Sequence, residues 1–141
     1  MINGERLIPL WKTSEGVYNG INHSHHQKKN IKMVKTHIFK NNEAVAVAVA
    51  DFLQKEIAQV EKINIALSGG STHKVLFDIL AKKYADKIRW SKVHFYWGDE
   101  RCVAPTDEES NYKMTEAKLL QHIKIPPENI HRVLGENDPT A

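Results

Sequence analysis

Residues 63–80 read INIALSGGSTHKVLFDIL. The apolar run Ile63–Leu67 stops at Ser68, Gly69 and Gly70 follow, and Ser71 and Thr72 come next. From about Thr72 to Ala85, Val75, Leu76, Ile79 and Leu80 recur at helical spacing. The stretch therefore reads as a strand, a glycine turn and a helix. A turn that only reversed the chain would not need Gly-Gly-Ser-Thr.

The same grammar continues in both directions. Downstream, KVHFYW (Lys92–Trp97) reads as a second buried strand, followed by the polar loop GDERCVAPTDEESNY. A helix is expected from about Ser110, its cap, to Ile123, where IPPEN closes it because prolines cannot continue a helix. IHRVL then reads as a further short strand. Upstream, Val34–Phe39 suits a strand. Asn41 or Asn42 suits the cap of a helix that buries Ala46, Val49, Leu53, Ile57 and Val60 on one face. The order β-α-β-α-β-α-β predicts an α/β fold: a Rossmann-like, open, mainly parallel sheet with helices on both faces. GENDPTA follows the last strand with no helix to cover it, so the domain reads as truncated at its C-terminus.

With 141 residues, 41% hydrophobic and 26% charged, the chain has the composition of one globular domain. No run of about 18 apolar residues suggests a membrane span, and Lys12 and Glu15 interrupt any leader-like stretch. A lone cysteine, Cys102, excludes an internal disulfide and fits a reducing cytoplasm. Residues 1–42 carry seven Lys/Arg against two Glu, and residues 43–141 carry thirteen against fifteen Asp/Glu. The basic excess thus sits in the tail, and the folded part does not read as a nucleic-acid surface. Residues 1–32 show no sustained period and are expected to form a disordered tail, with residues 33–141 as the domain. Met33, just before the organised part, is a candidate native start. His23, His25 and His26 lie in the tail without partner ligands or a scaffold, and no metal site is expected there.

In open parallel sheets ligands sit at the carboxyl ends of the strands. Gly69, Gly70, Ser71 and Thr72 stand at one such end. Glycines admit close backbone approach, and the helix start supplies free amides and positive potential, which suits a phosphate dianion. Gly98, Asp99, Glu100 and Arg101 stand at the next. A carboxylate there can orient a sugar hydroxyl or act as a base, and an arginine can clamp an anion; a solvated turn with Arg101 paired to Asp99 or Glu108 is the competing reading. His73, His94 and His122 are expected in structural roles, Trp90 and Trp97 are expected to pack, and Cys102 has no base beside it in sequence.

Three segments together, NIALSGGST, VHFYWGDERCVAPTDEESNYKM and LLQHIKIPPENIHRVLGE, resemble the N-terminal half of the 6-phosphogluconolactonase family. His73 stands where that family usually has proline. The resemblance implies hydrolysis of 6-phosphogluconolactone to 6-phosphogluconate in the oxidative pentose phosphate pathway, with no metal or organic cofactor. It implies phosphosugar contacts from Gly69, Gly70, Ser71 and Thr72, and from Asp99 and Arg101. The family's general base is a histidine in a Gly-x-Asp-Gly-His-Thr segment, and none of the eight histidines here stands in one. The isolated chain is accordingly expected to be inactive. The related glucosamine-6-phosphate deaminases usually read Met-Asp-Glu-Tyr where this chain has Gly-Asp-Glu-Arg, which favours the lactonase. A non-catalytic sugar-phosphate-binding module is the remaining alternative; the upstream DNA-binding helices usual in such regulators have no counterpart in the tail.

Overall fold

A computed structural model describes residues 6–9, in their backbone only, and residues 36–137. Four strands, β1 (Arg6–Pro9), β2 (Ile63–Leu67), β3 (Val93–Trp97) and β4 (Ile130–His131), alternate with three helices, α1 (Asn42–Ala58), α2 (Ser71–Ile79) and α3 (Asn111–Lys118). The strands lie side by side in chain order and every pairing is parallel. This is the expected alternation, with one substitution of parts. Thr36–Phe39 is not a strand, and Val34 and Lys35 lie outside the described residues. Arg6–Pro9, inside the segment expected to be a disordered tail, occupies the sheet edge instead, Arg6 opposite Ile63 and Pro9 opposite Ala66. Pro9 is tolerable on an edge because an outer strand needs only one side of its backbone for pairing. The other residues of 1–32, with the histidine cluster, and Met33 lie outside the described residues.

Strand alternation separates the two faces of the sheet. Ile63, Ile65 and Leu67 of β2 and Val93, Phe95 and Trp97 of β3 are buried and in register with one another. Asn64, Ala66 and His94 on the other face are half-buried, and Tyr96 is 36% exposed. The three helices pack in sequence, α1 on α2 and α2 on α3, and share one core with the buried strand face. Among the described residues the helices therefore cover one face of the sheet, where both faces were expected to be covered.

Asn41 caps α1, its side chain accepting from the Ala44 amide at 2.9 Å, and Ala46, Ala50, Leu53 and Ile57 form the buried stripe. Val49, expected in that stripe, is half-buried. Helix α2 buries Leu76, Ile79 and also Phe77, because it lies between α1 and α3 and must cover a wider arc than one stripe. It does not run regularly to Ala85; its last turn opens into a π-helical turn, Leu80–Tyr84, where the Tyr84 hydroxyl donates to Asp51 of α1. Trp90 and Trp97 pack in the core as expected.

Ser110 caps α3 through the Lys113 amide, and the expected single helix to Ile123 is a shorter α-helix followed by a 3-10 turn, Leu120–His122. Pro127 opens another 3-10 turn, and buried Asn129 donates to the Ser91 and Val93 carbonyls, tying the entry of β4 to β3. The expected strand IHRVL shrinks to two residues. Ile130 and His131 pair with Phe95 and Tyr96, so only Trp97 remains on β3 beyond that register before Gly98 turns away. Val133 and Leu134 are left 45% and 53% exposed.

Candidate active site at the strand ends

The loops after β2 and β3 meet. The Gly98 amide donates to the Leu67 carbonyl at 2.8 Å, extending the pairing of the two strands by one step. One residue later the Ser68 hydroxyl donates to the Asp99 carboxylate at 2.8 Å. The two sequence-derived candidate loops are thus one structure. Ser68, which sequence reasoning passed over as the end of an apolar run, is the side chain that joins them.

The glycines of the first loop differ in purpose. Gly70 has φ of +107° with open space where a side chain would be, a conformation that favours glycine. A Cβ on Gly69 would lie 2.1 Å from the Asn111 side-chain oxygen, so Gly69 leaves room for Asn111. No side chain caps α2, and Ser71 and Thr72 are exposed. The first amides of a helix have no partner within it, so this end presents free donors and positive potential.

Helix α3 is the counter-example. Glu100 accepts from the amides of Asn111 at 2.7 Å and Tyr112 at 2.8 Å, while Ser110 takes that of Lys113. Glu100 also accepts from the Arg101 amide and the Ser110 hydroxyl. A carboxylate with those partners is a helix cap, and it leaves α3 closed to an anion. Of the two helices that start beyond β2 and β3, only α2 is open.

Asp99 is exposed, and both carboxylate oxygens are engaged, one by Ser68 and the other by the Asn111 side-chain amide at 3.1 Å. Arg101 is exposed and makes no ion pair with another described residue; Glu108, its expected alternative partner, pairs with Lys113 at 2.6 Å. Among the described residues no side chain pairs with the guanidinium, which leaves it available to meet an anion. A third loop seats against the second: a Cβ on Gly135 would lie 2.1 Å from the Arg101 carbonyl oxygen. There Arg132 pairs with Glu136 and lies 4.7 Å over the Tyr112 ring, which also packs on Trp97. Burial, then the neighbouring Glu116, push the Tyr112 hydroxyl above its ordinary range. Hydrogen bonds from its own backbone and from Arg132 hold Glu136 below the usual carboxylate range.

The remaining candidates stand apart. His73 packs near the Phe77 ring, His122 ends the 3-10 turn that follows α3, within reach of the Ala117 carbonyl, and Cys102 is a free, exposed thiol. His94 faces His131 across β3 and β4, their ring nitrogens 3.1 Å apart. No group of three or more potential metal ligands occurs among the described residues. A cleft of about 490 Å³ beside α1, lined by Phe39, Glu43, Val47 and Asp51 among others, contains no residue of either loop.

Residues 40–141 match the family model described as glucosamine-6-phosphate isomerases/6-phosphogluconolactonase. The chain belongs to this family. Within it, the chain is 56% identical over 78 residues to a 6-phosphogluconolactonase of Haemophilus influenzae, covering 55% of this chain and 34% of that protein. It is 38% identical over 108 residues to the 6-phosphogluconolactonase of Treponema pallidum, covering 77% of this chain and 45% of that one. Among solved structures, that of the devB protein matches at 50% identity with a TM-score of 0.70, over 73% of this chain and 44% of the other. A monomeric glucosamine-6-phosphate deaminase, at 17% identity and a TM-score of 0.65, shares the fold. The chain thus spans between a third and a half of the length of these family members. The parallel sheet with helices expected from the sequence is the fold they share.

Proposed function

We propose that this chain forms the phosphosugar-binding part of a 6-phosphogluconolactonase, a cytoplasmic enzyme of the oxidative pentose phosphate pathway. The observation that carries the reading is the Ser68–Asp99 hydrogen bond, which holds a carboxylate beside the one helix start left open at the strand ends. The names of the relatives at 56% and 38% identity support it, and Gly98-Asp99-Glu100-Arg101 favours it over the deaminase.

The phosphate of 6-phosphogluconolactone sits on the amides at the start of α2, with Gly69, Gly70, Ser71 and Thr72 around it. Asp99, its outer lone pairs still available, accepts from sugar hydroxyls, and Arg101 reaches the anion from the second loop. In the reaction, water oxygen bonds to the lactone carbonyl carbon and the resulting oxyanion is held by donors. The ring C–O bond then breaks, the ring oxygen takes a proton, and the product is a carboxylate. Removing the proton from water needs a base. Asp99 is assigned here to the sugar hydroxyls, and no histidine in this chain stands in a Gly-x-Asp-Gly-His-Thr segment. The chain accordingly binds the phosphosugar and turns it over little or not at all, with no cofactor or metal required.

The test is a pair of measurements on the purified 141-residue chain: titration with 6-phosphogluconate and an assay of lactone hydrolysis. Saturable binding with negligible turnover is the expected result. Turnover near that of a full-length relative would overturn the division of labour, and no binding would overturn the reading itself.

A further inference from the structure

We infer that Asn111 is a positioning residue that locks the two candidate loops into a single geometry. The inference rests on the functional reading above for its purpose, and on the following contacts for its substance. Asn111 is only 7% exposed and occupies the first position of α3. Its side-chain nitrogen donates to the Asp99 backbone carbonyl at 3.2 Å and to the Asp99 carboxylate at 3.1 Å. Two acceptors on that side fix the orientation of the amide, since only the nitrogen can donate. The amide oxygen is thereby turned to the first loop, where it fills the space a Gly69 Cβ would need, 2.1 Å away. Its backbone amide is held in turn by Glu100 at 2.7 Å.

One side chain therefore touches Gly69 of the first loop and Asp99 of the second. Helix α3, through Glu100 and Ser110, is the fixed mount from which it reaches both. Ser68 makes the only other side-chain hydrogen bond to the Asp99 carboxylate found among the described residues, and Ser68 belongs to a loop. A carboxylate that must meet a sugar hydroxyl while the phosphate is held elsewhere has to be fixed to within a fraction of an ångström. Asn111 supplies that fixation without being placed to react.

The experiment uses the isotopically labelled 141-residue chain and three single variants, Asn111→Ala, Asn111→Asp and Gly69→Ala, with 6-phosphogluconate as the probe. Asn111→Asp is the discriminating variant. It keeps the size and suits a helix start, but it replaces the donor by an acceptor facing Asp99. Without ligand, the Asn111 side-chain amide protons are expected to exchange slowly, and the Asp99 carboxylate carbon resonance is expected to move in all three variants. With ligand, each variant is expected to lose about tenfold or more in affinity, the size of one lost hydrogen bond to a charged group. The double variant Gly69→Ala/Asn111→Ala is expected to lose no more than Asn111→Ala, since both act through the same contact.

Fast-exchanging Asn111 amide protons, an unmoved Asp99 resonance or full affinity in a folded Asn111→Asp would each overturn the inference, as would losses that multiply in the double variant. If both ligand-free signatures are present but the unsubstituted chain binds no 6-phosphogluconate, the functional reading fails and the lock stands.

Discussion

The Ser68 hydroxyl and the Asp99 carboxylate meet at 2.8 Å across 31 residues of sequence. Each follows the last residue of a strand closely, Leu67 for one and Trp97 for the other, and those two residues face each other in the parallel ladder. In-register parallel strands end side by side, so whatever follows them is brought together by the sheet rather than by the loops. Ser68→Ala is expected to leave the fold intact and to weaken 6-phosphogluconate binding several-fold, within the roughly 1 kcal/mol range of a single hydrogen bond. Isothermal titration of the variant against the unsubstituted chain is the check.

The contrast between an open α2 and a closed α3 predicts where ligand contacts appear. On titration with 6-phosphogluconate, the backbone amide resonances of Gly70, Ser71, Thr72 and His73 should shift most. Those of Asn111, Tyr112 and Lys113 should move little, because Glu100 and Ser110 already occupy them. Larger shifts at α3 would reverse the assignment of the phosphate end.

Glu100 reads in sequence like its neighbours Asp99 and Arg101, as a charged loop residue, yet its contacts make it a structural cap. Glu100→Ala leaves two helix amides without their carboxylate and should cost about 1–3 kcal/mol in stability. Urea unfolding monitored at the tryptophans would measure it. An unchanged midpoint would show that water replaces the carboxylate at no cost.

Gly135→Ala tests the third loop. Its Cβ would meet the Arg101 backbone carbonyl at 2.1 Å, and a backbone atom cannot swing aside as a side chain can. A loss of about 1–3 kcal/mol is expected, the usual range for forced overpacking. Amide exchange around Arg101 should rise with it, since the displaced partner is the second loop.

Tyr84 gives a pH-dependent prediction. Its hydrogen bond to Asp51, and next its burial, raise its pKa above the ordinary value of 10.0. The folded state therefore keeps the phenol proton at a pH where the unfolded chain releases it. By linkage, the contribution of Tyr84 is fully present below pH 10.0 and is lost as pH rises through the higher folded-state value. Tyr84→Phe should lower stability at neutral pH by about 1 kcal/mol. The gap to the unsubstituted chain should then narrow only on the alkaline side, in urea titrations run from neutral to alkaline pH.

The order of elements and the two loops were legible in the residues themselves. Local rules suffice for them: alternation along Val93–Trp97, helical spacing after Thr72, Asn41 and Ser110 as caps, and glycines at a strand end. The edge strand was not legible. Four residues, Arg6–Pro9, carry too little pattern to compete with Val34–Phe39, and an edge position is decided by which backbone reaches β2. The length of β4 was not legible for a related reason, because the IHRVL pattern says nothing of where its neighbour stops.

The sequence by itself determined that strand, turn and helix alternate, that glycines and hydroxyls stand at one strand end, and that an Asp-Glu-Arg triplet stands at the next. Only the tertiary structure decided what each member of that triplet does. Asp99 is held from two sides, Glu100 is spent on the start of α3, and Arg101 is left without an ion pair among the described residues. It also decided that Gly69 makes room for Asn111. The physical reason is range. Dihedral preference and periodicity act over a few residues and are written along the chain. The fit of one side chain into the gap left by another depends on atoms 12 to 42 positions away, which only the packed sheet brings to the same place.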